Sequence, residues 1–550
     1  MVQTLQQMFM DRLASGLKRK SIVKPSDWAM TYRMMGQPYP GKWTFKWHPW
    51  LKGMHDSDVE LNIGMKSAQA GYTETCLNIC FYYIDIFATD CLYILPAKTP
   101  DASDFSASRF NPALDMSPHL SNLFSDTLNV GLKRAGNTNF YLRGSKSRSG
   151  LKSIPVGVII FDELDEMTQD NIPLAVERQS GQRLTRSWEV STPTIDGFGI
   201  HASYINSSQN IFYFKCPGCS KFINLEFPRN MNICGSDHTD SACEDSYIKC
   251  HLCGKKLPHE TKPDWLATGR WEETNTQRAV KGWAVNQLYS SSPKVNPGNI
   301  VKAYHKSRID PASEQEFYNS KMGLPHIVEG ARLTDVDIKE CMAEFVKADF
   351  CTNGLTTLGV DVGTYLHYEV DLWKVIGSEY DLNVSSTPRL IKEGSVFSFD
   401  ELDELMEKYN ISGCVIDAQP ERRKAYEFCC KHFGRAKMCF YGRGIQGKQI
   451  HINQDDECMI TVDRTSWLDL SIGRFKARKI TLPKDLSFEY KTHLKSLVRI
   501  YEKDPDGNQV GKYVKAGNDH DHLAHARNYA EIALPIAASM SSSYNMVSPL

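Results

Sequence analysis

Two acidic residues end an apolar stretch in the first third of the chain. Residues 156–161 read Val-Gly-Val-Ile-Ile-Phe, and Asp162 and Glu163 follow directly. An aspartate at the end of a buried strand can hold Mg²⁺ through water, and the adjacent glutamate can polarise the water that attacks a phosphoanhydride. The alternative is a buried strand that runs into an acidic turn. The pair predicts ATP hydrolysis when a phosphate-binding loop precedes it.

Residues 66–73, Lys-Ser-Ala-Gln-Ala-Gly-Tyr-Thr, follow a short apolar strand and precede a helical stretch. The standard phosphate loop reads G-x-x-x-x-G-K-[ST], so Gly71 and Thr73 keep two positions while Tyr72 replaces the lysine. We expect Lys66 to supply the missing charge and Thr73 to ligate Mg²⁺, with backbone N–H groups holding phosphate oxygens. A structural turn is the alternative. The predicted nucleotide-binding residues are Lys66, Ser67, Gly71, Tyr72, Thr73 and Asp162.

Small hydroxyl residues end a further apolar stretch, Val190-Ser191-Thr192-Pro193-Thr194. At the end of a strand, Ser191 and Thr192 can sense the γ-phosphate and pass its loss to the parts that grip a polymer. An ordinary strand-to-turn exit explains the same residues equally well.

Two C-x-x-C motifs, Cys216–Cys219 and Cys250–Cys253, are separated by thirty residues of the chain. Four thiolates in this pattern are typical of a tetrahedral structural zinc site without an open coordination position. We therefore predict that Cys216, Cys219, Cys250 and Cys253 bind Zn²⁺ and stabilise an insertion too small to fold alone. Cys234 and Cys243 lie between the motifs and are competing ligands.

Three acids in the second half follow a fixed order. Asp361 ends the stretch Thr357–Gly363, Asp417 ends Cys414–Asp417, and Asp521 opens a late helix. A first strand, a central strand and a late helix that each contribute a carboxylate are the signature of an RNase-H-like nuclease. Such a site holds two divalent cations, one preparing the attacking water and the other stabilising the leaving oxygen. An all-oxygen ligand set suits Mg²⁺ or Mn²⁺, although each acid taken singly is explained by a strand end or a helix cap.

The elements that position these residues alternate between strands and helices. The strands predicted in the first half are 60–63, 91–95, 157–161 and 187–191. This alternation predicts a mostly parallel α/β sheet. We expect an N-terminal lead-in over 1–50, a RecA/ASCE-like ATPase domain over 51–345 with a zinc-binding insertion at 210–260, a nuclease domain over 350–535, and a flexible tail over 536–550.

The overall composition fits a soluble multidomain protein. The chain has 550 residues, of which 41% are hydrophobic and 23% charged, and 64 basic residues nearly cancel 65 acidic ones. A net charge of -1 neither indicates nor excludes nucleic acid, because a local basic groove can exist in a neutral chain. The sequence shows no membrane-spanning stretch and no signal peptide, so we expect a cytoplasmic protein whose 16 cysteines include metal ligands.

Taken together, these motifs resemble the large subunit of tailed-bacteriophage terminases, especially the lambda-like branch. The resemblance covers about residues 40–535 and includes Gly323-Leu324-Pro325 and Asp521-His522-Leu523-Ala524-His525. It implies an ATPase that pulls double-stranded viral DNA into the procapsid and a nuclease that cuts concatemeric DNA. It also implies that Glu163 is catalytic, that Ser191 and Thr192 couple hydrolysis to DNA, and that Asp361, Asp417 and Asp521 are both catalytic residues and metal ligands.

The same resemblance implies the partners and the location. The partners are double-stranded DNA, the portal protein, the small terminase subunit and further copies of the chain in a homo-oligomeric ring. The host cytoplasm is the expected location. Two other functions stay open: a helicase–nuclease of DNA repair, which needs a second motor lobe, and a zinc-stabilised DNA-binding scaffold whose acids are structural.

Overall fold

The computed structural model describes Met10 and residues 24–124, 127–152, 154–377, 381–442, 447–503, 509–517 and 519–540. The chain divides into two compact units, Met1–His326 and Ile327–Leu550. Residues 327–345, expected in the ATPase domain, therefore group with the second unit. The predicted tail lies outside the described residues from 541 onward, as does most of the lead-in before residue 24.

The first unit contains one large mixed sheet and two small ones. Its strands are β1 Met34–Met35, β2 Gly41–Lys42, β3 Leu61–Lys66, β4 Cys91–Leu95, β5 Thr127–Asn129, β6 Leu132–Ala135, β7 Thr138–Gly144, β8 Val158–Asp162, β9 Arg186–Ser191, β10 Asn210–Lys215, β11 Phe222–Ile223, β12 Met231–Asn232, β13 Tyr247–Lys249, β14 Lys256–Leu257, β15 Arg270–Glu272 and β16 Lys281–Val285. The α-helices are α1 Pro25–Tyr32, α2 Leu51–His55, α3 Tyr72–Phe87, α4 Ser103–Phe105, α5 Asn111–Met116, α6 Pro118–Leu123, α7 Ile172–Val176, α8 Gly199–Ile205, α9 Lys262–Leu266, α10 Pro297–Ser307 and α11 Pro311–Glu316. Three π-helical segments, Lys98–Ala102, Ser106–Phe110 and Phe317–Met322, continue or precede these helices.

The strand order explains how this unit assembles a site. The main sheet runs β11-β10-β16-β3-β9-β8-β4-β7-β6-β5, with β15 paired to β10. Strands β16, β3, β9, β8 and β4 are parallel, so their carboxyl ends meet at one edge. Strand β9 lies between the loop strand β3 and the acid strand β8, which is the arrangement of an ASCE-type ATPase. The predicted α/β class is therefore confirmed.

Residues 200–326 do not form a second motor lobe. This segment is described throughout, and its longer strands β10 and β16 join the main sheet, β16 directly beside β3. Strands β11 and β15 pair with β10, and β12, β13 and β14 form a small sheet of their own. Because the segment completes the first lobe, it does not supply the second lobe that a helicase needs.

The second unit contains a seven-stranded sheet in the order β19-β18-β17-β20-β21-β23-β22 and a separate hairpin β24-β25. The strands are β17 Leu355–Val362, β18 Leu366–Lys374, β19 Thr387–Val396, β20 Gly413–Asp417, β21 Ala436–Tyr441, β22 Ile450–Ile452, β23 Met459–Val462, β24 Leu497–Lys503 and β25 Gln509–Lys515. The helices are α12 Asp335–Lys339, α13 Leu382–Ser385, α14 Phe399–Lys408, α15 Arg422–Lys431, α16 Arg464–Lys476, α17 Phe488–Ser496 and α18 His522–Met540.

This strand order matches the predicted RNase-H-like fold. The strands β17, β18 and β19 are antiparallel, whereas β20 and β21 continue the sheet in parallel from β17. Helix α18 lies directly against the sheet because two glycines remove the side chains in its way. A Cβ on Gly359 would collide with backbone atoms of Ala526 and Ala530, and one on Gly413 would lie 2.8 Å from the backbone nitrogen of Ala537.

A buried ionic network fixes α18 against the sheet. Arg527 of α18 donates to Glu369 at 2.9 Å and also contacts Asp371 and Glu531. Arg474 of α16 donates to Glu531 at 2.7 Å. These charges are fully or almost fully buried, so each depends on its partners to offset desolvation. The network therefore fixes the helix whose first turn carries the last predicted acid.

Among the described residues, the helices are too short or too polar to cross a bilayer.

Candidate active sites and a cysteine cluster

The side chain of Lys66 reaches across the sheet edge to the predicted catalytic glutamate. Lys66 is the last residue of β3, and its Nζ donates to Oε1 of Glu163, just after β8, at 2.6 Å. Burial acts to lower the pKa of Lys66, but the charges of Glu163 and Asp162 outweigh it and raise the pKa. The lysine therefore remains cationic in a buried position, as a phosphate ligand requires.

Glu163 is held in an unusual backbone conformation. Its φ is 65°, in the left-handed region, and its N–H donates to the carbonyl of Val190 at 2.9 Å. A non-glycine residue in this region costs on the order of 1–3 kcal/mol and persists where the surrounding structure imposes it. The turn directs the glutamate towards Lys66 while its side chain stays about one-third exposed (36%), within reach of solvent.

Asp162 has the environment of a metal ligand. Oδ2 accepts a hydrogen bond from the hydroxyl of Tyr93 at 2.6 Å, whereas the buried Oδ1 has no partner among the described residues. Burial, followed by the charge of Glu163, raises the pKa of Asp162, and the Thr73 hydroxyl lies near enough to act in the opposite direction. An orphaned buried carboxylate oxygen beside a threonine hydroxyl fits Mg²⁺.

The phosphate loop is supported on both sides. The N–H of Ser67 donates to Val285 of β16 at 3.0 Å, and the N–H of Ala68 donates to Ser320 at 2.7 Å. Gly71, with φ 85°, precedes α3, whose first-turn N–H groups have no partner within the helix and point at the loop. Since Ser67 is buried and its N–H is already used, Gly71 and the start of α3 offer the free donors.

The position of Tyr72 corrects the role that the sequence predicts for its side chain. Its ring is buried (1% exposed), and its hydroxyl lies 3.4 Å from the carbonyl oxygen of Trp283. A Cβ on Gly64 of β3 would lie 2.7 Å from this ring, so the tyrosine packs where the strand has no side chain. The Tyr72 side chain is thus a core residue, and its predicted role in nucleotide binding can involve only the backbone N–H.

Ser191 and Thr192 lie at the end of β9, between the loop strand and the acid strand. The Oγ of Ser191 accepts from the N–H of Asp165 at 3.2 Å and donates to the carbonyl of Thr192 at 3.0 Å. The carboxylate of Asp165 accepts in turn from the N–H groups of Thr194 at 2.8 Å and Ile200 at 2.7 Å. The acid turn after Glu163 and the predicted coupling segment are therefore one hydrogen-bonded unit.

A second connection joins this segment to the phosphate loop. The buried Asn319 donates to the carbonyls of Pro193 and Thr194, and the next residue, Ser320, accepts from Ala68 of the loop. The phosphate loop and the strand end are thus connected through two adjacent residues. Asp165 and Asn319 were not predicted; the Asp-Glu-Leu-Asp run at 162–165 is a sequence signal for the former.

The four predicted zinc ligands converge. Their sulfur atoms lie within 4.8 Å of one another, with 3.8 Å between Cys216 and Cys253 and 4.0 Å between Cys219 and Cys250. Tetrahedral Zn–S bonds of about 2.3 Å place sulfurs about 3.8 Å apart. Backbone N–H groups of Gly218 and Leu252 point at the sulfurs of Cys216 and Cys250 at 3.3 and 3.4 Å. The donor set fits a structural zinc ion.

The two other cysteines of this region have different partners. Cys234 accepts from Asn232 at 3.3 Å, and Cys243 donates to the carbonyl of Asp237 at 3.3 Å. Neither belongs to the converging group of four.

The three predicted nuclease acids lie at one end of the second sheet. Val360 of β17 is paired with Ile416 of β20, so Asp361 and Asp417 are neighbours at the ends of adjacent parallel strands. Asp521 immediately precedes α18, which packs on both strands. The trio itself is not a group whose ligand atoms converge within 4.8 Å. Acids that serve two cations about 3.5–4 Å apart spread more widely than ligands of one ion.

The acids differ in their electrostatic environment. Burial, with a contribution from the Asp361 charge, raises the pKa of Asp417 to about 6. For Asp521, burial acts upward, but His525, 3.4 Å away, lowers the pKa well below its usual range. Oδ2 of Asp361 lies 2.8 Å from Nδ1 of His522, and this hydrogen bond raises the pKa of His522. Two adjacent acids with unlike environments are typical of a functional site.

One residue of this site was not predicted from the sequence. His367 of β18 is the cross-strand partner of Asp361, and Asp361, His367 and His522 have ligand atoms within 4.8 Å of one another. The six-residue spacing between Asp361 and His367 across a tight turn is the sequence signal for this pairing.

The fold and the site of the first unit define a nucleotide-hydrolysing P-loop ATPase. Residues 37–271 match the family model of the phage terminase large subunit gpA, ATPase domain. This match confirms the resemblance to terminase large subunits that the sequence predicts.

Solved structures of large terminases are similar to this chain at low sequence identity. The large terminase of one thermophilic bacteriophage is 12% identical, with 88% of this chain and 98% of that chain covered and a TM-score of 0.29. The ATPase domain of the Thermus phage P74-26 large terminase is 12% identical, covering 51% and 96%, with a TM-score of 0.30. The magnesium-bound large terminase nuclease of thermophilic phage G20c is 14% identical, covering 36% and 94%, with a TM-score of 0.23. No curated protein gives a significant match.

Proposed function

We propose that this chain is a terminase large subunit that hydrolyses ATP to move double-stranded viral DNA and cuts that DNA with a metal-dependent nuclease. The observation that carries the proposal is the ion pair of Lys66 with Glu163 within the segment that matches the terminase ATPase family. It joins a phosphate-loop lysine to the strand-end acid that hydrolysis needs. The second unit adds acids in the order and on the elements of an RNase-H-like nuclease.

In the first unit, the residues divide the work of hydrolysis. ATP phosphates bind the N–H groups of Gly71 and the start of α3, with the charge of Lys66 beside them. Thr73 and Asp162 would hold Mg²⁺, which neutralises phosphate charge when bound. When Lys66 turns to phosphate, its bond to Glu163 is lost, and the free carboxylate can orient and polarise the attacking water.

Loss of the γ-phosphate is passed on by the segment that touches the site. Ser191 ends β9 and Thr192 follows it, and Asp165, two residues after Glu163, is hydrogen-bonded to Ser191 and Thr194. Asn319 and Ser320 tie the same turn to the phosphate loop. We assign this connected group the coupling of hydrolysis to DNA movement.

In the second unit, Asp361, Asp417 and Asp521 would hold two divalent cations, Mg²⁺ or Mn²⁺. The cations supply charge stabilisation for the phosphodiester that is cut. The side chains contribute fixed positions: the first two through adjacent strands, the third through α18 and the buried Arg527 network. His525 keeps Asp521 ionised, and an ionised carboxylate is the form that binds a cation.

We assign Zn²⁺ to Cys216, Cys219, Cys250 and Cys253, with a structural role. Two similar hairpin turns, after β10 and after β13, present one C-x-x-C pair each. All four positions of a tetrahedral ion are then sulfur, which leaves no site for substrate.

The portal protein, the small terminase subunit and a homo-oligomeric ring are the proposed partners, and the host cytoplasm is the proposed location. The lambda-like branch is also part of the proposal. These assignments rest on the similarity to terminases and on the proposed combination of DNA movement with DNA cutting in one chain.

A triplex-displacement assay tests the proposed motor. A translocase moving on intact duplex displaces a bound third strand, whereas a helicase separates the duplex itself. With ATP and linear duplex we expect the chain to displace the third strand without unwinding, and we expect Glu163→Ala to abolish displacement. Duplex unwinding by the wild-type chain would favour the repair helicase, and no ATP-dependent effect on either substrate would favour the scaffold.

A further inference from the structure

The nuclease end of the second unit contains a nitrogen-rich group in addition to its acids. Asp361 lies on β17, His367 lies opposite it on β18, and His522 begins α18. Ligand atoms of the three residues lie within 4.8 Å of one another. Residues from three separate elements thus meet at one point, two of them fixed by the ladder of an antiparallel pair.

His367 has an unused donor–acceptor atom at this point. The residue is 6% exposed, and its Nδ1 is buried with no hydrogen-bond partner among the described residues. An unsatisfied buried ring nitrogen costs about 1–3 kcal/mol, and such atoms in a native fold call for an explanation such as an ion. A cation coordinated by Nδ1 would supply the missing partner, while the other ring nitrogen, Nε2, lies 3.7 Å from Oε1 of Glu489.

His522 completes the group. Its Nδ1 lies 2.8 Å from Oδ2 of Asp361, and its ring stacks on His367 with centroids 4.6 Å apart. The side chain is one-third exposed (33%), so this side of the group is open to solvent.

We propose that Asp361, His367 and His522 form a binding site for one divalent transition-metal cation, so that one of the two nuclease cations has nitrogen ligands. The inference rests on the proposed nuclease function for its role but on the geometry for its existence. Two imidazoles and one carboxylate are typical ligands of a transition metal, whereas Mg²⁺ prefers oxygen. The chain therefore binds Mn²⁺ at this point in preference to Mg²⁺.

Mn²⁺ binding to the full-length chain without DNA tests this site. Mn²⁺ is the probe because it is paramagnetic and because the four-cysteine cluster prefers softer metals. Pulsed electron paramagnetic resonance of bound Mn²⁺ should show couplings to ¹⁴N of imidazole. His367→Ala and His522→Ala should each remove part of the coupling and weaken Mn²⁺ binding at least about tenfold, whereas the exposed His451→Ala should change neither.

Bound Mn²⁺ without ¹⁴N coupling in the wild-type chain, or unchanged coupling in both histidine variants, would overturn the site. If His367→Ala does not fold, the ¹⁴N coupling in the wild-type chain and in His522→Ala still tests the site. Plasmid cleavage is measured separately: ¹⁴N coupling without cleavage contradicts the proposed nuclease but not the metal site. Cleavage that is lost in Asp361→Asn, combined with no ¹⁴N coupling in the wild-type chain, contradicts the metal site but not the nuclease.

Discussion

Lys66 and Glu163 form an ion pair of 2.6 Å between the phosphate loop and the acid strand. The lysine neutralises the charge of the glutamate that should activate water. A phosphate that recruits Lys66 frees Glu163, so binding of ATP and readiness for hydrolysis are linked through one side chain.

Replacing Glu163 by Gln should separate these two steps. The amide keeps the size of the side chain but cannot act as a base, so we expect ATP hydrolysis to fall about 10²–10⁴-fold. ATP binding should stay at the wild-type level or become tighter, because Lys66 no longer pairs with a carboxylate. Single-turnover hydrolysis and equilibrium binding of a fluorescent ATP analogue measure the two effects; wild-type hydrolysis would exclude Glu163 as the base.

The lysine at position 66, and not the side chain at position 72, should bind phosphate. Lys66→Ala should weaken ATP binding at least about tenfold, since a charged hydrogen bond contributes about 1.5–3 kcal/mol. Tyr72→Phe is the matched variant, because it removes only a hydroxyl buried near Trp283. It should bind ATP normally, and a loss as large as that of Lys66→Ala would mean that the tyrosine hydroxyl contacts nucleotide.

The sequence was most informative where function depends on neighbouring residues in the chain. Asp162 and Glu163 directly follow the apolar stretch that forms β8, and the acids Asp361 and Asp417 end β17 and β20 in the same way. A strand end marks an active-site edge in a parallel sheet, so local pattern was sufficient there. The strand predicted at 60–63 is observed as Leu61–Lys66. It continues past Gly64, the residue that suggests a turn in the sequence.

The remaining features depend on long-range contacts. Strands β10 and β16 flank a cysteine-rich segment. Their place in the main sheet, with β16 beside β3 and β10 beside β16, follows from pairing that no local pattern encodes. Likewise, Asn319 reaches the β9 turn from a π-helical segment, and the Tyr72 ring turns inward because Gly64 leaves space. His367 was missed because its importance depends on the β17–β18 register.

Removing the zinc ligands should destabilise the first unit. We expect one zinc ion per chain by elemental analysis, and Cys250→Ser should lose it together with several degrees of thermal stability, because metal binding contributes directly to folding of such segments. Cys243→Ser is the control, since its thiol bonds to Asp237 outside the cluster. Full zinc content in Cys250→Ser would show that the metal, if present, lies elsewhere.

The buried Arg527 should be essential to the stability of the second unit. Arg527→Met leaves Glu369, Asp371 and Glu531 without their shared partner, and breaking a buried pair costs about 3–5 kcal/mol. Urea unfolding followed by fluorescence measures this loss. Arg423→Ala removes an exposed pair with Glu427 (91% and 59% exposed) and should cost no more than about 0.5 kcal/mol; equal effects would contradict the network.

We propose that one chain carries two active sites that work independently, and a paired assay of two variants can show this. Purified full-length Glu163→Gln and Asp361→Asn are each assayed for DNA-stimulated ATP hydrolysis and for Mn²⁺-dependent plasmid cleavage. We predict that Glu163→Gln loses hydrolysis and keeps basal cleavage, whereas Asp361→Asn loses cleavage and keeps hydrolysis. Wild-type levels of both activities in both variants, or the loss of both activities in each folded variant, would contradict the account.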